Sequence, residues 1–414
     1  MKRKKQFEVE IGTDDLITPG GLEFAGMALE KTAFRHEADA LLAGESVKEI
    51  RTSDCLASII GLLSQGKTAY DDVREMRENP DFHSMALGNE QIPASETLRQ
   101  RLDEIGGAFD RSEIAQNTVI GWTYKGFNGY SPIYAYLGEY MINCEFRNGE
   151  QHSQKGATAF FEQTIRCARQ VTDAPLLFRL DSGHDAGDNV RLFAKTEGAD
   201  YIIKRNLRSG TPERWLEIAQ NADGVEISTP REGKTVYVGS VYGTGLGQVH
   251  IEGIENERIV FEVTVRHYKK DGQMLLIPEI EVSAWRTSLG AADSEIIELY
   301  KQHAVCEQYH SELKTDIGLE RFPSGGKRAT NAAVLKLAMI AFIILRLIGR
   351  VSLLVGKGKQ RRKVSRIRLI TVMQRFIFIA ARVVRHAKRI FLKLGRRDYW
   401  RFDFISIHQY FASI

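Results

Sequence analysis

The sequence contains little cysteine, and none of it is spaced for metal binding or redox chemistry. Among 414 residues there are four cysteines, Cys55, Cys144, Cys167 and Cys306, and no two of them form a C-x-x-C pair. A disulfide framework is therefore excluded, and we expect four reduced thiols in a cytoplasmic protein.

The sequence also lacks a long uninterrupted apolar run. The opening MKRKKQFEVEIG is basic but has no apolar stretch of the kind found in a signal peptide. The most apolar segment, Ala332 to Val355, is interrupted by Lys336, Arg346 and Arg350, whereas a membrane span needs about 20 apolar residues. We expect a core helix in this segment, and no membrane partner.

Acidic residues are scarce at one end of the chain, although the overall charge is nearly balanced. The protein has 57 Lys and Arg against 53 Asp and Glu, a net charge of +4. Between Lys357 and Arg401, however, sixteen Lys and Arg accompany a single acid, Asp398. This asymmetry indicates a polyanionic partner, with nucleic acid preferred over an anionic membrane.

The N-terminal part of the chain has the pattern of a helical domain. The share of apolar residues is 43% and of charged residues 27%, which is typical of a soluble globular protein, here long enough for two or three domains. Pro19 to Gly107 is predicted to be all-α. One helix is predicted in TSDCLASIIGLLSQG, capped by Ser53 or Asp54, and another begins at Ser95 with Leu98 facing inward.

From Gly129 the apolar period changes from about 3.6 to 2, which indicates strands. Two antiparallel strands are predicted around a turn at Gly138, followed by a helix over Lys155–Val171. A buried strand, Leu176–Leu180, then stops at Asp181. A further helix and strand follow, and this order predicts an α/β core with a mixed sheet.

The segment Arg208–Ser288 alternates again and is predicted to be an all-β insertion. Near its end lies Trp285, for which two interpretations stay open. It stacks on a flipped base, as aromatic residues do in single-stranded DNA complexes, or it packs where the insertion meets the core.

The basic C-terminal stretch RIRLITVMQRFIFIAARVVRHAKRIFLKLGRR is predicted to be an amphipathic helix. Its apolar positions pack, and its free side carries Arg382, Arg385, Lys388 and Arg389. DNA phosphates are the favoured partner of this side. A solvated charge face is the alternative.

The stretch ELYKQHAVCEQYHSELK places four functional side chains at spacings of three, four and seven. On a regular helix Tyr300, His303, Glu307 and Lys314 fall within an arc of roughly 60°. An ordinary amphipathic helix would carry Leu, Ile or Val on that stripe. A functional face is one interpretation, and a solvated helix with a Glu–Lys pair is the other.

These residues resemble the Y-x2-R-x3-E-x6-K signature of bacterial insertion-sequence DDE transposases, of the retroviral-integrase-like superfamily. His303 departs from it, because the family has Arg there. FRLDSGHDAGDNVRLF resembles the family's second acid motif, R-x-D-S-G, at Asp181. WTYKGFNGYSPIYAYLG, which contains Lys125, resembles the stretch after the first catalytic acid.

The resemblance implies a ribonuclease-H-like catalytic core that lacks its first strand. The all-β insertion interrupts this core in the sequence. The same resemblance implies a helical N-terminal domain that binds transposon ends. The expected domains are the helical domain 1–115, the first core part 116–206, the insertion 207–288, the second core part with the glutamate helix 289–355, and the basic C-terminal region 356–414.

The resemblance also implies a chemistry and its residues. Asp181 and Glu307 would be catalytic and would bind two Mg²⁺ or Mn²⁺ ions for DNA cleavage and strand transfer. The implied DNA-binding residues of the core are Tyr300, His303, Lys314 and Lys125. The expected partners are double-stranded DNA, as element ends and target, and a second copy of the chain.

The first acid of the family's three is not found. The only strand-like piece before the K-G-F motif, Asn117–Trp122, contains no carboxylate. Asp110 and Glu113 lie upstream, and Asp110 is the candidate if the chain after Gly107 folds back as an edge strand. We therefore expect impaired catalysis.

Two other functions stay open at this point. His303, Glu307 and His310 are spaced by four and three, so one helix face could offer a zinc hydrolase two imidazoles and a carboxylate. Alternatively, the chain is a non-catalytic DNA-binding protein that is derived from a transposase.

Overall fold

A computed structural model describes residues 16–43, 49–113, 121–122, 128–207, 210–243, 251, 253–254, 256–269, 271–356, 364–387 and 389–414. The chain forms two compact units. Unit 1 comprises residues 1–149 and 309–414, and unit 2 comprises residues 150–308. The finer division into five domains stays a prediction.

The described residues include long and short α-helices. They are α1 (Glu23–Glu30), α2 (Phe34–Ala40), α3 (Thr52–Leu63), α4 (Val73–Glu78), α5 (Pro80–Leu87), α6 (Ser95–Glu113), α7 (Ala157–Arg169), α8 (Gly187–Lys195), α9 (Pro212–Asn221), α10 (Asp293–Lys301), α11 (Val305–Ser311), α12 (Arg328–Val355), α13 (Leu369–Val372) and α14 (Arg401–Ser413). Turns of 3₁₀-helix lie at Gly20–Leu22, Tyr70–Asp72, Ser182–His184 and Gln302–Ala304, and π-helical turns at Glu312–Asp316 and Met373–Ile377.

Among the described residues, the strands form one large sheet and three two-stranded sheets. They are β1 (Gly121–Trp122), β2 (Asn128–Gly129), β3 (Ile133–Leu137), β4 (Tyr140–Glu145), β5 (Leu176–Leu180), β6 (Ala199–Lys204), β7 (Glu226–Arg231), β8 (Lys234–Tyr242), β9 (Arg258–Tyr268), β10 (Met274–Thr287), β11 (Ala381–His386) and β12 (Arg389–Leu394). The large sheet has the order β5-β6-β10-β9-β8-β7 and is mixed, since β5 and β6 are parallel. The predicted α/β class with a mixed sheet is confirmed.

The N-terminal helices of unit 1 agree with the predicted all-α segment. Leu98 of α6 is fully buried, as predicted. The predicted cap of α3 is wrong, because the helix begins at Thr52 and its N-cap is Arg51. Asp54 instead lies buried in the first turn, where its carboxylate accepts hydrogen bonds from the backbone N–H groups of Glu90 and Gln91.

The long helix α12 forms the centre of unit 1. It is long and apolar enough to cross a membrane by length and composition, yet 67% of its most apolar window is buried inside the structure. Its first turn packs closely on α6, where a Cβ on Gly106 would lie 2.8 Å from the backbone nitrogen of Thr330. The Thr330 hydroxyl donates to Asp103 at 2.8 Å.

The antiparallel hairpin β3–β4 was predicted correctly, but it forms a two-stranded sheet of its own. It packs on α12 within unit 1, where the ammonium group of Lys336 donates to the carbonyl oxygen of Cys144. Its expected place in the mixed core sheet is therefore wrong.

The predicted amphipathic helix in the basic C-terminal stretch is wrong as well. The stretch forms α13, a π-helical turn and then the antiparallel hairpin β11–β12. Ala381 at the base of this hairpin pairs with Ile17 through two backbone hydrogen bonds. The hairpin is thereby tied to the N-terminal end of the described chain.

The segment 207–288 in unit 2 is not all-β, because it contains α9. Thr211 caps this helix, and Trp215 packs with Phe261 of β9 in a buried cluster. The strands of the segment extend the same sheet as β5 and β6. Trp285 is only 4% exposed, in a cluster with Ile202 and Val260, so the packing interpretation of this residue is confirmed.

Candidate active site

Asp181 lies at the carboxyl end of β5, which is the first strand of the large sheet. Its Oδ1 accepts a hydrogen bond from the backbone N–H of Gly183 at 2.9 Å and caps the 3₁₀ turn Ser182–His184. The residue is solvent-exposed. Ligands of open α/β sheets bind at this end of the strands, so the local sequence presents a fixed carboxylate there.

Polar side chains hold the loop after Asp181, and one of them, Asn189, is fully buried. Asn189 lies on α8, and its amide donates to the carbonyl oxygen of His184 at 2.9 Å and to Gln154 at 2.7 Å. The hydroxyl of Ser153 donates to the carbonyl oxygen of Gly183 at 3.0 Å. These bonds fix the turn before any ligand arrives.

A buried ionic group supports the same loop from the sheet. Arg286 of β10 donates to Asp185 at 2.6 Å and to Glu257, and all three side chains are less than 8% exposed. Asp185 also accepts the backbone N–H of Asn206 at 2.9 Å. The segment after β5 is thereby joined to β10 and to the residues that follow β6.

The stretch that carries the predicted glutamate is not one regular helix. It passes from α10 through the 3₁₀ turn Gln302–Ala304 into α11 and the π-helical turn Glu312–Asp316. The expected 60° arc is therefore wrong, because 3₁₀ and π turns advance by different angles per residue.

Within unit 2, a side chain of β5 holds the start of this stretch. Arg179 donates to the carbonyl oxygen of Leu299 at 3.0 Å and to the side chain of Gln302 at 3.4 Å. The rings of Tyr300 and His303 stack with their centroids 5.6 Å apart. Arg179 is the arginine of the R-x-D-S-G motif, but this structural role was not predicted from the sequence.

The charges of the two predicted acids act on the same pair of rings. Burial lowers the pKa of His303, while Asp181 and Glu307 oppose this change and Arg179 adds to it. Burial raises the pKa of Tyr300, and the charges of Asp181 and Glu307 raise it further. The imidazole is therefore neutral at pH 7 and lacks the charge of the family's Arg.

The donors at this site suit a hard divalent cation in kind but are few in number. Asp181 and Glu307 are exposed carboxylates, and oxygen ligands are what Mg²⁺ and Mn²⁺ prefer. Across the described ranges, no three His, Cys, Asp or Glu side chains form a group that could hold a metal. The zinc set of His303, Glu307 and His310 is therefore contradicted.

Lys314 lies in unit 1, exposed on the π-helical turn, between two buried acids. Glu312 is 1% exposed and binds Arg346 and, at 2.6 Å, Arg366. Asp316 accepts from Arg368 at 3.0 Å. Salt bridges on both sides thus hold the backbone that presents Lys314.

Of the predicted basic residues near the C-terminus, three are described, and all lie exposed on the hairpin β11–β12: Arg382, Arg385 and Arg389. Arg385 pairs with Asp81 at 3.2 Å. Lys388 and Lys125 lie outside the described residues.

Asp110 lies within α6 and not on an edge strand, so the route by which it was to reach the site is wrong; its side chain is not described. The segment 114–120, which includes most of Asn117–Trp122, also lies outside the described residues.

Known proteins give the following comparisons. One similar solved structure is a cryo-EM structure of a piggyBac transposase synaptic complex with hairpin DNA. The identity is 11% and the TM-score 0.37, over 87% of this chain and 78% of that one. No curated protein matches the sequence. The family described as transposase DDE domain group 1 matches residues 114–411, well over half of the chain, and this protein belongs to that family.

Proposed function

We propose that this chain is the DNA transposase of a bacterial insertion sequence, which binds the element's ends and acts by metal-dependent DNA cleavage and strand transfer. The observation that carries the proposal is the hydrogen bond from Arg179 to the carbonyl oxygen of Leu299, which joins the strand before Asp181 to the stretch that leads to Glu307. Both residues were assigned from their resemblance to the acid motifs of such transposases, and both lie within the residues that the family matches. The protein works in the cytoplasm, as a homodimer on paired ends.

In this proposal each residue has a defined task. Asp181 and Glu307 would hold two Mg²⁺ or Mn²⁺ ions, and these would supply activation of the attacking oxygen and stabilisation of the leaving oxygen. Tyr300 and His303 contact DNA as neutral hydrogen-bonding groups, and Lys314 contributes a positive charge to a phosphate. Arg179 orients the segment that carries these groups.

Catalysis in this copy is impaired, because only two acids can be assigned. Removing one electrostatic contributor of this kind costs roughly 3–4 kcal/mol, or about a hundredfold to a thousandfold in rate. With two carboxylates, the site would offer the metal ions fewer ligands than the three acids of the family.

The test is strand cleavage by the purified full chain on a duplex that carries the element's end, in Mg²⁺ and in Mn²⁺. We expect slow cleavage that the Asp181→Asn, Glu307→Gln double variant loses, with unchanged duplex binding. Rapid cleavage that the double variant loses, and that Asp110→Ala keeps, would contradict the impairment but support the site. Rapid cleavage that the double variant keeps would contradict the site itself.

The second candidate function is a non-catalytic DNA-binding protein derived from a transposase. It is favoured by the same shortage of donors, since no three-residue metal group occurs in the described parts of the chain. Strand transfer in Mn²⁺ distinguishes the two, because only an enzyme retains it.

A further inference from the structure

Asp181 and Lys204 lie side by side at the carboxyl ends of the parallel strands β5 and β6. The register pairs Leu180 of β5 with Ile203 of β6, so the next residue of each chain segment stands at the same level. Adjacent strands are about 4.8 Å apart. Asp181 continues the extended conformation, with φ −74° and ψ 174°. Its side chain and that of Lys204 therefore leave the sheet on the same face, opposite to Leu180 and Ile203.

This face also carries the rings of the candidate site. In the antiparallel register, Lys204 lies opposite Trp285 of β10, and directly opposed residues share a face. The ring centroids of Trp285 and Tyr300 are 5.7 Å apart, and Tyr300 stacks on His303. The lysine at the end of β6 thus belongs to the same face as Asp181 and the two rings.

Lys204 was not among the predicted site residues, because a single lysine at the end of an apolar strand forms no recognisable motif. Its side chain is half-buried. Among the described residues, no hydrogen bond or salt bridge engages its ammonium group. A lysine carries a compact point charge on a flexible four-carbon stem, so this ammonium can approach the Asp181 carboxylate or an anion beside it.

A cation beside Asp181 changes what this carboxylate binds. At a separation of about 6 Å in water, Coulomb's law predicts that a unit positive charge weakens the binding of a doubly charged ion by up to about tenfold. Screening at physiological salt reduces the factor to about three. A phosphate group beside the ammonium offsets its charge and removes the effect. The affinity of Asp181 for a metal ion therefore depends on whether an anion occupies the ammonium.

We propose that Lys204 is a further residue of the site and couples metal binding at Asp181 to the presence of the DNA substrate. Without DNA, the ammonium lies beside the carboxylate and weakens the binding of a divalent cation. With DNA, the ammonium contacts the reacting phosphate and no longer opposes the cation. The proposal rests on the proposed function, since it takes Asp181 as a metal ligand, and it adds that DNA binding promotes metal binding.

The test titrates the purified full chain with Mn²⁺ and measures the free ion by electron paramagnetic resonance, with and without a saturating DNA duplex. Without DNA, Lys204→Gln and Lys204→Met are each expected to bind Mn²⁺ about three- to tenfold more tightly than the wild type. Lys204→Arg keeps the charge and is expected to match the wild type. With the duplex, the advantage of the two neutral variants is expected to disappear.

The matched control is Lys195→Gln, which removes the same charge from the same unit. Lys195 is exposed at the C-terminal end of α8, before β6 begins, whereas Lys204 ends that strand. Six residues of strand separate these two ends by about 20 Å, well beyond the Debye length of about 8 Å at physiological salt. The control is expected to leave the Mn²⁺ affinity within about twofold of the wild type.

Three outcomes overturn the coupling. The first is an unchanged Mn²⁺ affinity in both neutral variants while Asp181→Asn loses binding. The second is an equal gain in Lys195→Gln, and the third is a gain that persists when the duplex is bound. Mn²⁺ binding that Asp181→Asn leaves unchanged would overturn both the coupling and the assignment of Asp181 as a ligand. Rapid cleavage that survives in the acid double variant would overturn the proposed function alone.

Discussion

Arg179 donates a hydrogen bond to the carbonyl oxygen of Leu299, and the two atoms lie 3.0 Å apart. The bond joins the strand that ends at Asp181 to the helix that precedes His303. A charged donor on a backbone carbonyl contributes roughly 1.5–3 kcal/mol. The relative placement of the two sequence motifs in unit 2 therefore depends on the arginine of the second acid motif.

The first prediction concerns the charge of Arg179. Arg179→Ala is expected to raise the pKa of His303, because the guanidinium lowers that pKa in the native protein. Asp181→Asn is expected to change it in the opposite direction, since the carboxylate raises it. Histidine proton NMR as a function of pH measures both changes. The same His303 pKa in the wild type and in both variants would show that neither charge acts on the imidazole.

The second prediction concerns the effect of His303 on how the free energy of unfolding depends on pH. Burial lowers the pKa of His303 below its ordinary value of 6.5, so the unfolded chain binds more protons in the window just below that value. The contribution of His303 is present above about pH 6.5 and is lost as pH falls through the lowered pKa. Urea unfolding from pH 7.5 to 5 should show a smaller decline in His303→Gln than in the wild type. Parallel declines would contradict the prediction.

The third prediction concerns the buried group around Arg286. Arg286→Met leaves Asp185 and Glu257 buried without their partner, and breaking such a pair costs about 3–5 kcal/mol. Urea unfolding measures the loss. Arg214→Met, which removes an exposed partner of Glu217, should change stability by less than about 0.5 kcal/mol. Comparable losses of unfolding free energy in both variants would mean that Arg286 does not stabilise the loop after β5.

The fourth prediction concerns Glu312 beside the exposed Lys314. Glu312→Gln leaves Arg346, which is 1% exposed, without a charged partner and weakens the contact to Arg366. The expected loss of unfolding free energy is about 3–5 kcal/mol. Glu320→Gln, at an exposed position nearby, provides the control and should change little. If Glu312→Gln is as stable as the control, the salt bridges of Glu312 do not hold the backbone that presents Lys314.

The fifth prediction uses a histidine whose pKa changes in the other direction. The hydrogen bond that the His408 ring donates to the Glu23 carboxylate raises the pKa of His408. This interaction stabilises the fold below about pH 6.5 and is lost as pH rises through the raised pKa. NMR titration of His408 should therefore show a midpoint above 6.5 that falls in Glu23→Gln. A midpoint that stays the same in Glu23→Gln would show that Glu23 does not raise the pKa of His408.

Local pattern was sufficient where a few neighbouring residues decide the structure. The strand Leu176–Leu180 is an apolar run that ends at Asp-Ser-Gly, and the structure has the same bounds. The helix α9 was missed although its signals are local too. Thr211 and Pro212 are a cap and a first helical residue, and Trp215 and Ala219 are spaced by four.

Local pattern was insufficient where distant contacts decide. The doublets Val383-Val384 and Ile390-Phe391 fit a helical period as well as a strand period, and it is their pairing across the turn that selects the hairpin. The π-helical turn at Glu312–Asp316 accompanies salt bridges to α12 and to residues 366–368. Partners so far away in sequence leave no periodic signal.

Unit 1 is built from two segments that lie far apart in the sequence, residues 1–149 and 309–414, and this affects how it folds during translation. The helices α3 and α6 cannot bury their apolar residues fully until α12 is synthesised, because α12 packs on both. Translation proceeds at about 5–20 residues per second, so residues 309–414 need roughly 5–20 seconds. During that interval the early helices are exposed to chaperones and proteases, whereas unit 2, a single continuous stretch, is already complete.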